Sequence, residues 1–152
     1  MIDSLERVVE DLVVVNSKLL LLIGAPNSGK SDLLRQFAKR RDLQILNVGA
    51  VLGRELLTIP SPRRHLQASD LLKGLAGEFT SNGLLLMDNL EILFDQGLRL
   101  NPLDLLRRHA QARRVIAAWP GALTENRLSY ATTGHPEYQD YGCDGLVPFR
   151  VN

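Results

Sequence analysis

The stretch GAPNSGKS, Gly24 to Ser31, sets glycines, a lysine and a hydroxyl at the spacing G-x-x-x-x-G-K-[ST]. That spacing does phosphate chemistry: the loop turns backbone N–H groups inward around phosphate oxygens, and a helix starting at its end aims its positive pole at the same charge. Gly29 lets backbone approach the ligand, and Gly24, Ala25, Pro26, Asn27 and Ser28 complete the wall. Lys30 is expected to reach the β- and γ-phosphates, Ser31 to ligate Mg²⁺ through its hydroxyl, and Asp32, just past the motif, to close the binding stretch.

A second stretch, LLLMDNLEILF (Leu84 to Phe94), is an apolar run that stops at an acid. An acid at the end of a buried strand beside the loop's own strand would hold Mg²⁺ through its water shell, so Ser31 and Asp88 form the expected metal set. The competing role for Asp88 is to cap the segment after it. Water activation needs a base within about 2.6–3.2 Å of the attacking water. Asn89 orients a water but takes no proton at neutral pH. Glu91 replaces it only if the chain curls after Asp88, because three helical residues rise about 4.5 Å and three extended ones span about 10 Å. Its competing role is that of a helix-start acid favoured by the helix dipole. The expected catalytic set is Lys30, Asp88, Asn89 and Glu91.

These residues need elements to hold them. Ile2, Leu5, Val8, Val9, Leu12 and Val13 recur at helical spacing and predict a leading amphipathic helix within residues 1–17. LLLLI (19–23), bounded by Asn16-Ser17-Lys18 and Gly24, predicts a strand buried on both faces, followed by a helix from about Gly29 to Arg40. Further strands are expected at 43–49, 84–87, 114–119 and 146–151, the last at a sheet edge because of Pro148. Residues 50–79 read as two helical pieces broken by Pro60-Ser61-Pro62, the second starting near Ser69 or Asp70. Another helix runs from Pro102, capped by Asn101, to about Ala112. Strands alternating with helices imply an α/β domain with a mostly parallel five-stranded sheet covered on both faces.

The 152 residues, 45% hydrophobic, suit one domain whose core spans 18–152. A formal net charge of +1 gives no global footprint for nucleic acid, and Lys39-Arg40-Arg41, Arg63-Arg64, Arg107-Arg108 and Arg113-Arg114 read as solvated helix ends. The single cysteine, Cys143, fits a reducing cytoplasmic compartment. His65, His109 and His135 lack partners at zinc spacing and read as surface or turn residues. Neither a signal peptide nor a membrane span is expected.

Taken together, GAPNSGKS, LLLMDN and the five-strand layout resemble the additional-strand division of P-loop NTPases, close to AAA-type ATPase cores: a three-layer sandwich, here without a separate helical lid. The resemblance implies ATP and Mg²⁺. It departs from the pattern at Asn89, where such ATPases commonly place the catalytic base, and at AAWPG, where Trp119 stands near a usual polar sensor and leaves Thr124 or Asn126 as stand-ins. More narrowly, GAPNSGKS, ILNVG, LLLMDNLEILFD, AAWPG and LSYATTGHPEYQDY are similar to the small P-loop protein, the F component, of BREX bacteriophage-exclusion systems. That resemblance implies a cytoplasmic anti-phage defence assembly whose larger BREX proteins include a large ATPase, a DNA methyltransferase and a phosphatase-like protein.

A small-molecule kinase is the rival enzyme, although the second strand ends in Asn47-Val48-Gly49 without the carboxylate that would meet an acceptor hydroxyl. A non-hydrolysing ATP-binding switch or docking module is the third reading. No [NT]-K-x-D motif points to guanine. The reading that follows is a slow ATPase completed by a homo-oligomer or a larger partner, with Arg107, Arg108, Arg113, Arg114 and Arg127 as candidates to act across an interface or simply to face solvent. Direct DNA contact is left open.

Overall fold

A computed structural model describes residues 1–12, 18–130, 139–142 and 145–151. Val13, Asn16, Ser17, His135, Cys143 and most of the LSYATTGHPEYQDY stretch lie outside them.

Five short strands form one parallel sheet: β1 (Leu19–Ile23), β2 (Ile45–Asn47), β3 (Leu84–Asp88), β4 (Arg114–Ala118) and β8 (Val147–Arg150). Their order is β2-β3-β4-β1-β8. Pro148 therefore sits on an edge strand, where its missing N–H costs no ladder bond. β1 is buried throughout because both faces are covered. Leu20 and Leu22 face the cluster built on α1 (Ile2–Asp11) and α2 (Lys30–Arg41), whereas Leu19, Leu21 and Ile23 face α3 (Val48–Leu57), α4 (Arg64–Phe79) and α5 (Pro102–Ala112). At the end of α2, Lys39 and Arg40 face solvent as expected, Arg40 pairing with Asp3 at 2.9 Å, whereas the partly buried Arg41 fastens α2 to α1 through Glu6 at 2.7 Å and Glu10 at 2.5 Å. No helix among the described residues is long and apolar enough to cross a membrane.

Several expectations change. The second strand is shorter, since Val48 and Gly49 already belong to α3, whose start is capped by Asn47 Oδ1 accepting from the Ala50 N–H at 3.0 Å. α4 begins at Arg64, not near Ser69 or Asp70: a 3-10 turn over Ser61–Arg63 runs straight into it, and Arg64 Nε donates to the carbonyls of Leu56 and Ile59, each at 2.9 Å. The strand ending in Asp88 does not lie beside β1, because β4 pairs with both and separates them.

The largest addition is a three-stranded antiparallel sheet of β5 (Ala122–Thr124), β6 (Arg127–Tyr130) and β7 (Gln139–Gly142). Glu125 and Asn126, both at positive φ, make the two-residue turn joining β5 to β6. The alternation in ALTENRLSY around Glu-Asn was the available signal. Aromatic rings fasten this sheet to the main one. Phe94 stacks on Tyr130 at 3.9 Å between ring centres, Trp119 meets Phe94 and Tyr141 edge-on, and Trp119 Nε1 donates to the Ser129 carbonyl at 3.1 Å.

Gly121 is what lets β6 come so close. A Cβ there would lie 1.6 Å from the Ser129 carbonyl oxygen, and both partners are backbone. Gly121→Ala is expected to destabilise the fold by about 3 kcal/mol or more, because the hairpin must move off Trp119. Denaturant melts of variant and parent test this, and an unchanged midpoint would refute it.

Candidate active site

The C-terminal edge of the parallel sheet brings Asn47, Asp88, Trp119, Gly24 and Val151 into one row, in strand order. From β1 the chain enters the glycine loop. Ser28 N–H donates to the Ala25 carbonyl at 3.0 Å, Asn27 has φ 65° and Gly29 has φ 101°, a conformation that favours glycine. Gly24 is also fixed by close approach, since a Cβ would lie 2.4 Å from Ser28 Oγ and 2.5 Å from the Val151 carbonyl oxygen. α2 starts at Lys30 with no side-chain cap, so the first-turn N–H groups of Lys30, Ser31 and Asp32 lack intrahelical partners, as an anion site requires. Asn27, Gly29, Lys30, Ser31, Asp32 and Arg35 line a cavity of about 370 Å³, with Asp32 and Arg35 paired at its rim.

Lys30, the first residue of α2, reaches the ends of β1 and β4. Its Nζ donates to the Gly24 carbonyl at 2.8 Å and the Trp119 carbonyl at 3.1 Å. Partial burial lowers its pKa, and the carboxylates of Glu91 and, more weakly, Asp88 oppose that shift. Both acids therefore stand within electrostatic reach of the ammonium. The strand between β1 and β3 has a use here: two strand spacings open about 10 Å between loop and acid, room for phosphate and a hydrated cation.

Asp88, half-buried at the end of β3, accepts the Asn89 N–H on Oδ1 at 2.9 Å. The 3-10 turn over Leu90–Phe94 has no side-chain cap, so nothing supports the capping role for Asp88. Asn89 sits at φ 56°, ψ 59°, a left-handed conformation that asparagine adopts more readily than most residues. Its Nδ2 donates to Asn47 Oδ1 at 3.1 Å and its carbonyl accepts the Gly49 N–H at 3.0 Å. Asn89 thus ties the end of β3 to the start of α3. The chain then curls, as a role for Glu91 requires, and leaves Glu91 exposed in that turn.

The candidate arginines are not assembled here. Arg113 precedes β4 and Arg114 is its first residue, at the opposite edge of the sheet, roughly 15 Å of strand away. Arg114 donates to the Val9 carbonyl at 3.2 Å, Arg107 to the Gly142 carbonyl at 3.2 Å, and Arg108 and Arg127 pair with Asp104 and Asp140. Thr124 and Asn126 belong to the β5–β6 hairpin, Asn126 as a turn residue. Two participants were not foreseen. Asn47 holds Asn89, and Trp119 contributes its carbonyl to Lys30 rather than a polar side chain.

No protein-family model matches the chain, and no curated protein does. Among solved structures, that of PCH-2 from C. elegans aligns with 98% of this chain and 40% of its own, at a TM-score of 0.40 and 16% identity. The chain thus spans less than half of that structure, and a likeness at this level carries no argument about family or activity.

Proposed function

We propose that this chain binds ATP with Mg²⁺ at the C-terminal edge of its sheet and hydrolyses it slowly, reaching full activity on assembly with further copies or a larger partner. The observation that carries this reading is the convergence of Lys30, Asp88 and Glu91 around a glycine loop that opens onto an uncapped helix start. Ser31, in the first turn of α2, and Asp88 would hold the cation, which supplies charge neutralisation at the β- and γ-phosphates. Lys30 exchanges its carbonyl partners for phosphate oxygens. Glu91, exposed and beyond the turn at Asn89, accepts the proton of the attacking water. Arg35, which lines the same cavity, is already paired with Asp32, and Arg107, Arg108, Arg114 and Arg127 hold partners elsewhere, which argues for completion by another chain. At its finest, this reading makes the chain an anti-phage defence component, following its resemblance to the BREX F protein, with the larger BREX proteins as its partners.

A second reading has its own observation. Asn89, held against Asn47, keeps the position next to Asp88 free of a base, as a nucleotide-dependent switch or docking module would have it. A kinase is less favoured, because β2 ends in the capping Asn47 with no acid. Phosphate release without added acceptor, followed across protein concentration, separates the three. Slow turnover whose specific activity climbs with concentration is expected. No release at any concentration supports the switch, and release only with an acceptor supports the kinase.

A further inference from the structure

His109 is not a surface residue: it is 8% exposed, on the face of α5 turned toward α4. Beside it lies a cavity of about 240 Å³ lined by Ser69 and Lys73 of α4, by Leu105, Arg108 and His109 of α5, and by Arg113 just beyond. Three cations line this space, and among the described residues no carboxylate does. Arg108 also pairs with Asp104 at 3.3 Å on the exposed side of α5.

Arg113 Nη1 stands 3.4 Å from His109 Nδ1. Burial, and then the charges of Arg113, Arg108 and Lys73, push the imidazole down to about 4. His109 is therefore neutral at neutral pH and suited to accept from Arg113. The negative end of α5 accounts for basic residues in and after its last turn, but not for Lys73, which comes from another helix. An excess of positive charge gathered around a concavity is what an oxyanion offsets.

We propose that the α4–α5 cavity is a second anion site that takes a phosphate oxyanion through Lys73, Arg108 and Arg113, with the Ser69 hydroxyl as a further donor. It lies at the edge of the sheet where β4 begins, opposite Lys30, so it is separate from the glycine loop. The phosphate belongs either to a nucleic-acid backbone or to a small phosphorylated molecule. A bound anion offsets the three cations that depress His109 and raises its pKa. Binding therefore takes up a proton and tightens as pH falls through the range between about 4 and the ordinary histidine value.

The test follows the His109 ring resonances of the full chain by NMR, assigned with His109→Gln, during titration with pyrophosphate and, separately, with a short single-stranded oligodeoxynucleotide lacking terminal phosphates. The expected result is a shift at neutral pH and a raised titration midpoint, with affinity weakened about tenfold or more in a Lys73→Gln/Arg113→Gln double variant whose ATP affinity is unchanged. An oligonucleotide that binds more tightly than pyrophosphate, with a log–log salt slope of about −2 for three cations, assigns a nucleic-acid backbone. Pyrophosphate binding as tightly or more so assigns a small phosphate. If neither probe moves His109, or the double variant binds like the parent, the proposal is wrong.

Discussion

Lys30→Ala lowers the affinity for ATP with Mg²⁺ by about 100-fold or more in calorimetric titration, and the fold survives. Lys30 offers two phosphates a charge-assisted hydrogen bond each, worth about 1.5–3 kcal/mol apiece, and 1.4 kcal/mol is a factor of ten. The structural loss is smaller. Lys30 is half-buried with a lowered pKa, so the fold gains little from its charge, and the carbonyls of Gly24 and Trp119 lose one donor each, a cost of about 1–2 kcal/mol. Trp119 also supplies the readout. It is the single tryptophan of the chain and its own backbone carbonyl accepts from Lys30, so the field at its indole, and with it the fluorescence, should change when ATP draws the ammonium away. That change should vanish in the variant. Equal affinity in variant and parent would mean that the loop does not hold phosphate, and the proposed activity would fall with it.

The second large effect separates the two acids. Glu91→Gln is expected to keep ATP affinity while turnover falls by about 10²–10⁴, the usual worth of a general base. Because Glu91 is exposed, stability should change by less than about 0.5 kcal/mol. Asp88→Asn should also remove Mg²⁺-dependent turnover, but through weaker metal binding, so raised Mg²⁺ rescues it in part and rescues Glu91→Gln not at all. Undiminished turnover in Glu91→Gln would exclude Glu91 as the base. Placing an acid next to Asp88 is no shortcut. Asn89→Glu forces glutamate to φ near 56° and breaks the tie to Asn47, a cost of about 1–2 kcal/mol, so it should not raise turnover.

Much of the glycine loop was legible because it is local. The glycine spacing, the lysine and the following helix lie within one short segment, and their geometry is set by backbone torsions and i to i+4 bonds. The buried strands were legible for a similar reason, since an apolar run such as LLLLI has few stable places other than the middle of a covered sheet. Boundaries were less so. Val48 and Gly49 continue an apolar strand pattern, yet Asn47 caps a helix there. The β5–β6 hairpin was missed because its strands are short and half-polar, and its anchor, the ring cluster of Phe94, Trp119, Tyr130 and Tyr141, draws on segments far apart in the chain.

By itself the sequence determined that this chain builds a glycine loop between a buried strand and a helix of a parallel α/β sheet and that an acid ends a buried strand. Only the tertiary structure decided that β4 separates that acid from the loop, that Asn89 is tied to Asn47, and that Glu91 lies in a turn within electrostatic reach of Lys30. The same holds for Lys73, Arg108 and Arg113, brought around one cavity by the packing of α4 on α5. The physical reason is common to all of these. Torsional preference and hydrophobic period act between near neighbours and are written in order along the chain, whereas strand order and helix packing are settled by burial of the whole core, which no single segment encodes.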